Sequence, residues 1–219
     1  MYENGYYRPD GDVIIEQTFD RVAACCYSIN NAKEVLKKIY LRTLVGFEAL
    51  DVNPFLLCCK NGVVDLRSGE FMEHSPEYFI TQPCEVAYDK DARPIAFLDF
   101  LENSLTNDDD RLTLIDWMVA CAVLLEFEYI LFLTGHGSNG KHVYEAVIQA
   151  FFGSESTEAI SLDELTSSRF AIGYLRRARV CISAETNPDR SKTEIIKKIS
   201  GNDWLSADVK NKDRARFKA

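Results

Sequence analysis

The sequence predicts an α/β fold over residues 107–219, preceded by a smaller mixed α+β domain over residues 1–106. Two observations predict the α/β part. An apolar run, a glycine-rich segment and a stretch of helical periodicity follow one another between Tyr129 and Phe152, which is the order strand, loop, helix. A second apolar run, Ala178–Ala184, predicts a further strand. Upstream, short apolar runs separated by Asn-Gly and Ser-Gly pairs predict small antiparallel sheets.

The N-terminal elements begin with a tight hairpin over Tyr2–Tyr7, because its central Asn-Gly pair readily takes the positive φ angles of a two-residue turn. Ala32–Leu44 places apolar residues on one helical face and lysines on the other, which predicts an amphipathic helix. Phe55–Cys59 and Val63–Leu66 flank a second such pair, Asn61-Gly62, which predicts another hairpin. The Ser-Gly turn that follows extends this hairpin into a small meander.

Two helices are expected before the glycine-rich segment. Pro94 opens the first, which runs to about Leu105. Asn107–Asp110 caps the second, with acidic side chains suited to the positive end of the helix dipole. This capping role is favoured over a metal site for the acidic cluster. The apolar stretch Trp117–Leu125 is too short to span a bilayer, and we interpret it as a buried helix.

The C-terminal region is predicted to contain a helix over Ser191–Ser200 and a short strand around Leu205–Val209. Its charge differs from that of the rest of the chain. Residues 169–219 hold 13 basic and 6 acidic side chains, a net of +7, whereas the whole chain carries −9. This basic region either meets phosphates or meets acidic surface on its own chain or on a neighbouring subunit. Charge alone leaves both alternatives open.

Composition narrows the class of protein. With 47% apolar and 27% charged residues, the chain is an ordinary globular protein. Its seven cysteines form no C-x-x-C pair and only three histidines are present, which argues against a structural zinc site. The cysteines lie mostly in apolar runs, and we expect them to act as small buried hydrophobes in a reducing, cytoplasmic setting. No signal-peptide pattern follows Met1, and no membrane association is expected.

A glycine-rich motif of the form G-x-x-x-x-G-K carries the functional prediction. Glycines free backbone N–H groups to point at one spot, and the start of the following helix adds partial positive charge there. The lysine reaches the β- and γ-phosphates as a point charge. The motif therefore predicts a nucleoside triphosphate site rather than a plain surface turn. Its predicted nucleotide-binding residues are Gly135, His136, Gly137, Ser138, Asn139, Gly140, Lys141 and His142.

His142 departs from the usual motif. The position after the lysine ordinarily holds Ser or Thr, whose hydroxyl oxygen ligates Mg²⁺. Imidazole is a poor ligand for a hard cation that prefers oxygen. The flanking strand and helix still favour a phosphate-binding loop.

Glu185 is the candidate catalytic acid. Hydrolysis of a triphosphate needs a carboxylate near the γ-phosphate to position or deprotonate water, and often one that holds Mg²⁺ through water. Such a group is expected at the end of a parallel strand beside the strand that leads into the phosphate loop. Glu185 follows Ala178–Ala184 and fits this role. The alternative is a surface glutamate at a strand end.

Taken together, the motifs resemble the superfamily 3 helicase domain of viral, phage and plasmid primase–helicases, including the poxvirus type. Residues 135–141 resemble its Walker A loop, and Ile182–Asn187 is similar to its Walker B ending. The segment from Ser161 to Leu175 looks like the lead into that strand. Ile196–Asp203 looks like the third motif, with a lysine four residues before the glycine. Residues 61–76 resemble the domain that precedes the helicase core.

The resemblance implies a P-loop NTPase core of the AAA+-like, superfamily 3 type. In it, the loop with Lys141 cradles ATP, and Glu185 positions the attacking water and holds Mg²⁺ through water. Lys197 and Asp203 belong to the motif that couples the nucleotide site to DNA. The segment from Ser206 to Lys218 matches the start of the region with the DNA-contacting hairpin, where Lys210 and Lys212 suit a backbone-tracking groove, or else a solvated terminus. Family members form hexameric rings on single-stranded DNA, in some cases with a primase domain or protein.

The resemblance also implies a core that is incomplete at its C-terminus. The sequence ends before the family's polar sensor motif and its arginine finger, a group worth roughly 10³ to 10⁵ in rate. The first hypothesis is therefore an ATP-driven helicase core of viral, phage or plasmid replication. The alternative is a truncated assembly or DNA-docking remnant that does not hydrolyse ATP. A small-molecule kinase that shares only the phosphate loop is the third and least favoured option.

Overall fold

A computed structural model of the chain describes residues 1–22, 29–124, 127–137, 139–168, 170–176, 178–183, 190–201, 203–207 and 215–217. These residues form a mixed α/β structure with small sheets. The helices are α1 (Gly11–Val22), α2 (Ile29–Thr43), α3 (Ile95–Ser104), α4 (Asp108–Ala122), α5 (Lys141–Phe152), α6 (Leu162–Ser167), α7 (Ile172–Leu175) and α8 (Arg190–Ser200). The strands are β1 (Tyr2–Glu3), β2 (Tyr6–Tyr7), β3 (Leu56–Cys59), β4 (Gly62–Asp65), β5 (Phe71–Met72), β6 (Thr157–Ala159), β7 (Val180–Ile182), β8 (Leu205–Ala207) and β9 (Ala215–Phe217).

The predicted N-terminal hairpin is confirmed. Strands β1 and β2 pair antiparallel, with Tyr2 opposite Tyr7. The two turn residues, Asn4 and Gly5, take φ angles of 52° and 93°. These are the positive angles that a two-residue hairpin turn requires. A Cβ atom on Gly5 would also clash with the imidazole of His74, so a contact distant in sequence favours glycine here as well.

The predicted meander is also confirmed, but its first turn lies one residue earlier than expected. Strands β3, β4 and β5 form an antiparallel sheet in that order, and Cys59 pairs with Gly62. The turn therefore consists of Lys60 and Asn61, and Gly62 belongs to β4 with a φ outside the positive range. A Cβ atom on Gly62 would lie 2.5 Å from the Met72 carbonyl oxygen. This glycine serves the close approach of β5 rather than the turn.

Helices α3 and α4 begin where the sequence predicts. The side-chain oxygen of Asn107 accepts a hydrogen bond of 3.1 Å from the backbone N–H of Asp109, which is an N-cap. The interpretation of Trp117–Leu125 as a buried helix holds only in part. The helix α4 ends at Ala122, Val119 is 57% exposed, and Leu125 lies outside the described residues. Within the helix, Ala122 is buried, and the other side chains that face the core, such as Trp117, are partly buried.

The strand predicted over residues 129–134 is not formed in the described structure. Leu131 and Leu133 of this segment pack against the central core, while Phe132 between them and Tyr129 before them are exposed. Strand assignment depends on hydrogen bonds to a neighbouring strand, and in its described sheet β7 pairs in parallel with β6. The apolar run predicted a strand, and this prediction is wrong for the described structure.

The largest hydrophobic core is shared by both halves of the chain. Residues of β3, β4, α3, α4, α5 and β7 are buried in it together, and they include Leu57, Leu101, Tyr144, Phe152 and Val180. The predicted boundary between residues 106 and 107 falls between α3 and α4, which pack against this same core. That boundary stays a prediction, and the packing joins the two sides of it.

A second core lies among the C-terminal elements. It buries Ile160, Leu165, Leu175, Ile195 and Leu205, which come from α6, α7, α8, β8 and the end of β6. The predicted helix over residues 191–200 is confirmed as α8. The strand predicted around residues 205–209 is formed over Leu205–Ala207 as β8, which pairs antiparallel with β9, and residues 208 and 209 lie outside the described ranges. Among the described ranges, every helix is too short or too polar to cross a lipid bilayer.

Candidate functional site

The glycine loop, residues 135–140, leads directly into helix α5. Gly140 is the N-cap of the helix, with a φ of 87°, and Gly135 has a φ of 142°. Residues with a Cβ atom rarely adopt either angle, so both positions favour glycine. A Cβ atom on Gly140 would also lie 3.0 Å from Phe100 Cε2 and from Ser104 Oγ, both on helix α3. Ser138 lies outside the described residues.

Lys141 is the first residue of α5, and its ammonium group is held by the loop itself. Its Nζ donates hydrogen bonds to the carbonyl oxygens of Gly135 and His136, at 3.0 and 2.9 Å, and to Asn139 Oδ1 at 2.8 Å. A lysine ammonium has three N–H donors, and all three are used here. A bound anion at this position would therefore exchange with one of these acceptors.

His142 follows on the first turn of α5 and its side chain is 88% exposed. Its Nδ1 lies 3.1 Å from Glu145 Oε2, one helical turn along. The sequence identified His142 as the replacement for a hydroxyl residue. The structure places its imidazole against a carboxylate of the same helix, where it supplies no oxygen ligand of its own.

The glycine loop opens on a cavity of about 1130 Å³. This volume is slightly above the range of about 300–1,000 Å³ that is usual for small-molecule sites. The cavity is lined by the loop and Lys141, by the segment 129–135, by residues 178–183 of the β7 strand and its flanks, and by Ile196 and Ile199 of α8. Loop and strand end therefore face one common space.

The remaining predicted site residues lie elsewhere or outside the described part. Lys197 is exposed on α8, and its carbonyl oxygen accepts a hydrogen bond of 2.8 Å from the N–H of Gly201. The Asp203 N–H donates to the Lys198 carbonyl oxygen at 3.1 Å. Neither Lys197 nor Asp203 is among the described residues that line the cavity. The predicted residues outside the described ranges are Glu185, Lys210 and Lys212, in addition to Ser138.

Sequence reasoning missed one residue of this region, Arg179. Its side chain lines the cavity and donates hydrogen bonds to two backbone carbonyl oxygens, those of Gln82 and Ala122. Burial lowers the pKa of its guanidinium, while nearby Cys84 and Asp51 act in the opposite direction. The signal in the sequence was an arginine inside the apolar run that forms β7.

The described cysteines are free thiols, and the buried ones behave as small hydrophobes. Cys58, Cys59 and Cys84 are buried, whereas Cys181 is exposed. Burial raises the pKa of the Cys58 thiol to about 11 and that of the Cys84 thiol to about 12. Both thiols stay protonated near neutral pH and are unsuited to nucleophilic or metal-binding roles. Within the described ranges, no cluster of three or more His, Cys, Asp or Glu side chains is arranged to hold a metal ion.

Residues 8–105 match a family model described as "D5 N terminal like". The matched residues contain α1, α2, α3 and the meander, amount to less than half of the chain, and end before the glycine loop. At a coarse level the match supports a relation to the D5-like primase–helicases. It associates the chain with DNA replication and suggests an enzyme, without identifying its activity.

Proposed function

We propose that this chain contains the nucleoside-triphosphate-binding core of a D5-like primase–helicase and binds ATP at the glycine loop. The observation that carries the proposal is the common cavity of the loop and the end of β7. A phosphate-binding loop and a strand end that carries an acid are the two parts that triphosphate hydrolysis requires. In this proposal the protein is a P-loop NTPase that assembles as a ring of copies, moves along single-stranded DNA and works with a primase.

The loop would act on the polyphosphate through two groups. The N-terminus of α5 presents backbone N–H groups and partial positive charge, which favour an anion. The Lys141 ammonium would exchange one or more of its loop carbonyl acceptors for phosphate oxygens, which are stronger acceptors because they are charged. Glu185, which follows β7 beyond the described residues, would position the attacking water.

The described residues do not fit a Mg²⁺ site of their own. The position that ordinarily supplies a hydroxyl oxygen holds His142, whose imidazole faces Glu145. Mg²⁺ prefers oxygen ligands and retains water readily, so in this protein the phosphates and water would have to supply its ligands. The proposal for nucleotide binding therefore rests on the loop and not on a protein-held metal.

The first prediction concerns Lys141. Lys141→Ala should weaken the binding of a fluorescent ATP analogue by roughly tenfold or more, because a hydrogen bond to a charged group contributes about 1.5–3 kcal/mol. Lys60→Ala is the matched control, since Lys60 pairs with Glu85 at 2.8 Å and does not line the cavity. Its affinity should equal that of the wild type. Equal affinity of the wild type and Lys141→Ala would contradict the proposal.

A second candidate function is a non-hydrolysing assembly or DNA-docking remnant of such a helicase. The exposed imidazole of His142 in place of a hydroxyl favours it, because the loop then contributes no metal ligand. Measurement of ATP turnover with and without single-stranded DNA separates the two functions. The remnant is excluded if single-stranded DNA stimulates ATP turnover and if Glu185→Gln abolishes this turnover while nucleotide binding persists. Tight binding without turnover supports it.

A further inference from the structure

Arg179 connects three separate segments of the chain. It precedes β7 directly, yet its side chain extends to two earlier parts of the fold. Its Nε and Nη2 donate to the Gln82 carbonyl oxygen at 3.1 and 3.0 Å, and its Nη1 donates to the Ala122 carbonyl oxygen at 2.7 Å. Gln82 lies within the residues that match the D5 family model, and Ala122 ends helix α4.

The backbone at the same point adds further ties. The N–H of Arg179 donates to the carbonyl oxygen of Ser156 at 2.8 Å, just before the β6–β7 pairing begins. The fully buried hydroxyl of Ser156 donates in turn to the Pro83 carbonyl oxygen at 2.6 Å. The starts of β6 and β7 are therefore both attached to residues 82 and 83.

Arg179 and Ser156, with their acceptors at residues 82, 83 and 122, form a junction between β6, β7 and the earlier part of the chain. The chemistry of the arginine makes this junction rigid. A guanidinium is planar, always charged and presents its donors in a fixed fork, so its acceptors must stay in place together. Removing a cation from water is costly unless its donors find acceptors. The segment that supplies the Gln82 acceptor is itself held, since the Thr81 N–H donates to Asp51 Oδ1 at 2.8 Å and its hydroxyl donates to Asp51 Oδ2.

We propose that Arg179 is a positioning residue that fixes β7 against the N-terminal region and thereby sets the nucleotide affinity of the cavity. Arg179, Gln82 and residues 180–183 all line this cavity together with the glycine loop, so a shift of β7 relative to residue 82 changes the shape of the cavity. The inference rests on the proposed function. It adds that the D5-like region acts on the nucleotide site through the contact of this side chain with residue 82, next to the Ser156–Pro83 hydrogen bond.

The test compares Arg179→Lys with a matched control, Arg111→Lys. Arg111 makes the same fork, with Nε and Nη2 donating to the Leu105 carbonyl oxygen at 2.9 and 2.7 Å, but it does not line the cavity. A lysine ammonium keeps the charge and cannot reproduce the fork. Both variants should lower the thermal midpoint. Only Arg179→Lys should also raise the dissociation constant of a fluorescent ATP analogue, by roughly threefold to thirtyfold.

A folded Arg179→Lys with wild-type affinity would overturn the inference, and so would an equal loss of affinity in Arg111→Lys. Ser156→Ala serves where Arg179→Lys does not fold, because it removes only the hydroxyl bond to Pro83. Weaker nucleotide binding in Ser156→Ala supports the junction, and unchanged binding overturns it. Failure of the wild type to bind the analogue refutes the proposed function itself. In another outcome, the wild type binds the analogue, Lys141→Ala does not, and Arg179→Lys and Ser156→Ala bind as the wild type does. That result refutes only the role of Arg179.

Discussion

Lys141 uses all three of its N–H donors on acceptors of its own loop, two carbonyl oxygens and one amide oxygen. In the proposed function, a phosphate would therefore have to replace existing hydrogen bonds of this ammonium group. The gain on binding would be the difference between charged phosphate oxygens and neutral carbonyl oxygens as acceptors. His142, its neighbour, takes no part in this exchange because its imidazole faces Glu145.

A prediction at this scale concerns the missing hydroxyl. His142→Ser should lower the Mg²⁺ concentration needed for half-maximal ATP turnover by roughly tenfold, the scale on which a single supporting group changes metal affinity. His142→Ala is the control, since it removes the imidazole without supplying an oxygen. Titration of turnover against Mg²⁺ checks the effect. An identical requirement in both variants would mean that a hydroxyl is dispensable at this position.

At the scale of elements, local signals predicted those features that depend on a few neighbouring residues. The Asn4-Gly5 turn and the Asn107 cap are of this kind, because turn angles and caps are decided within four residues. Gly62 shows the limit of such signals. Its Asn-Gly pair resembled a turn, and the need for glycine came instead from the close approach of β5, which the local sequence does not reveal.

Gly62→Ala tests this role of the residue. The added Cβ would meet the Met72 carbonyl oxygen at 2.5 Å and Phe71 Cζ at 2.6 Å, so we expect a loss of about 1–3 kcal/mol in the free energy of unfolding. Gly137→Ala is the matched control, because a Cβ there meets no atom within 4 Å and its φ is not positive. Urea denaturation gives both values. Equal stability of the two variants would show that β4 and β5 separate easily.

Non-local pairing explains the larger errors in the predicted elements. The polar strand β6, Thr157–Ala159, carries no apolar run and was not predicted, although it supplies the described parallel partner of β7. The apolar segment 129–134 was predicted as a strand and forms no ladder in the described structure. A ladder depends on what lies beside a segment, whereas an apolar pattern reports only on the segment itself.

At the scale of the whole molecule, the central core crosses the boundary that composition and motifs suggested. Phe152 of α5 is fully buried, and it shares this core with Leu57 and Val64 of the meander. The Arg179 fork and the Ser156 hydroxyl add polar contacts to the same interface. A substitution that destabilises α5 is therefore expected to affect the sheet of β3, β4 and β5 as well.

Phe152→Ala tests this coupling and should cost about 3–5 kcal/mol in stability. Hydrogen exchange should become faster at the backbone amides of β3 and β4 as well as within α5, because the space left by the removed ring borders both. Phe170→Ala is the control, since its ring is half exposed and lies on the C-terminal elements. It should leave exchange in β3 and β4 unchanged. Faster exchange confined to α5 in Phe152→Ala would contradict a shared core.

The contact between helix α3 and the N-cap of α5 links the glycine loop to the N-terminal part of the chain. Phe100 Cε2 and Ser104 Oγ lie 3.0 Å from the place that a Cβ atom would take at Gly140. Any exchange of residues 1–105 for those of a related chain therefore brings a new surface against this glycine, and a larger side chain at either α3 position would press on the loop backbone.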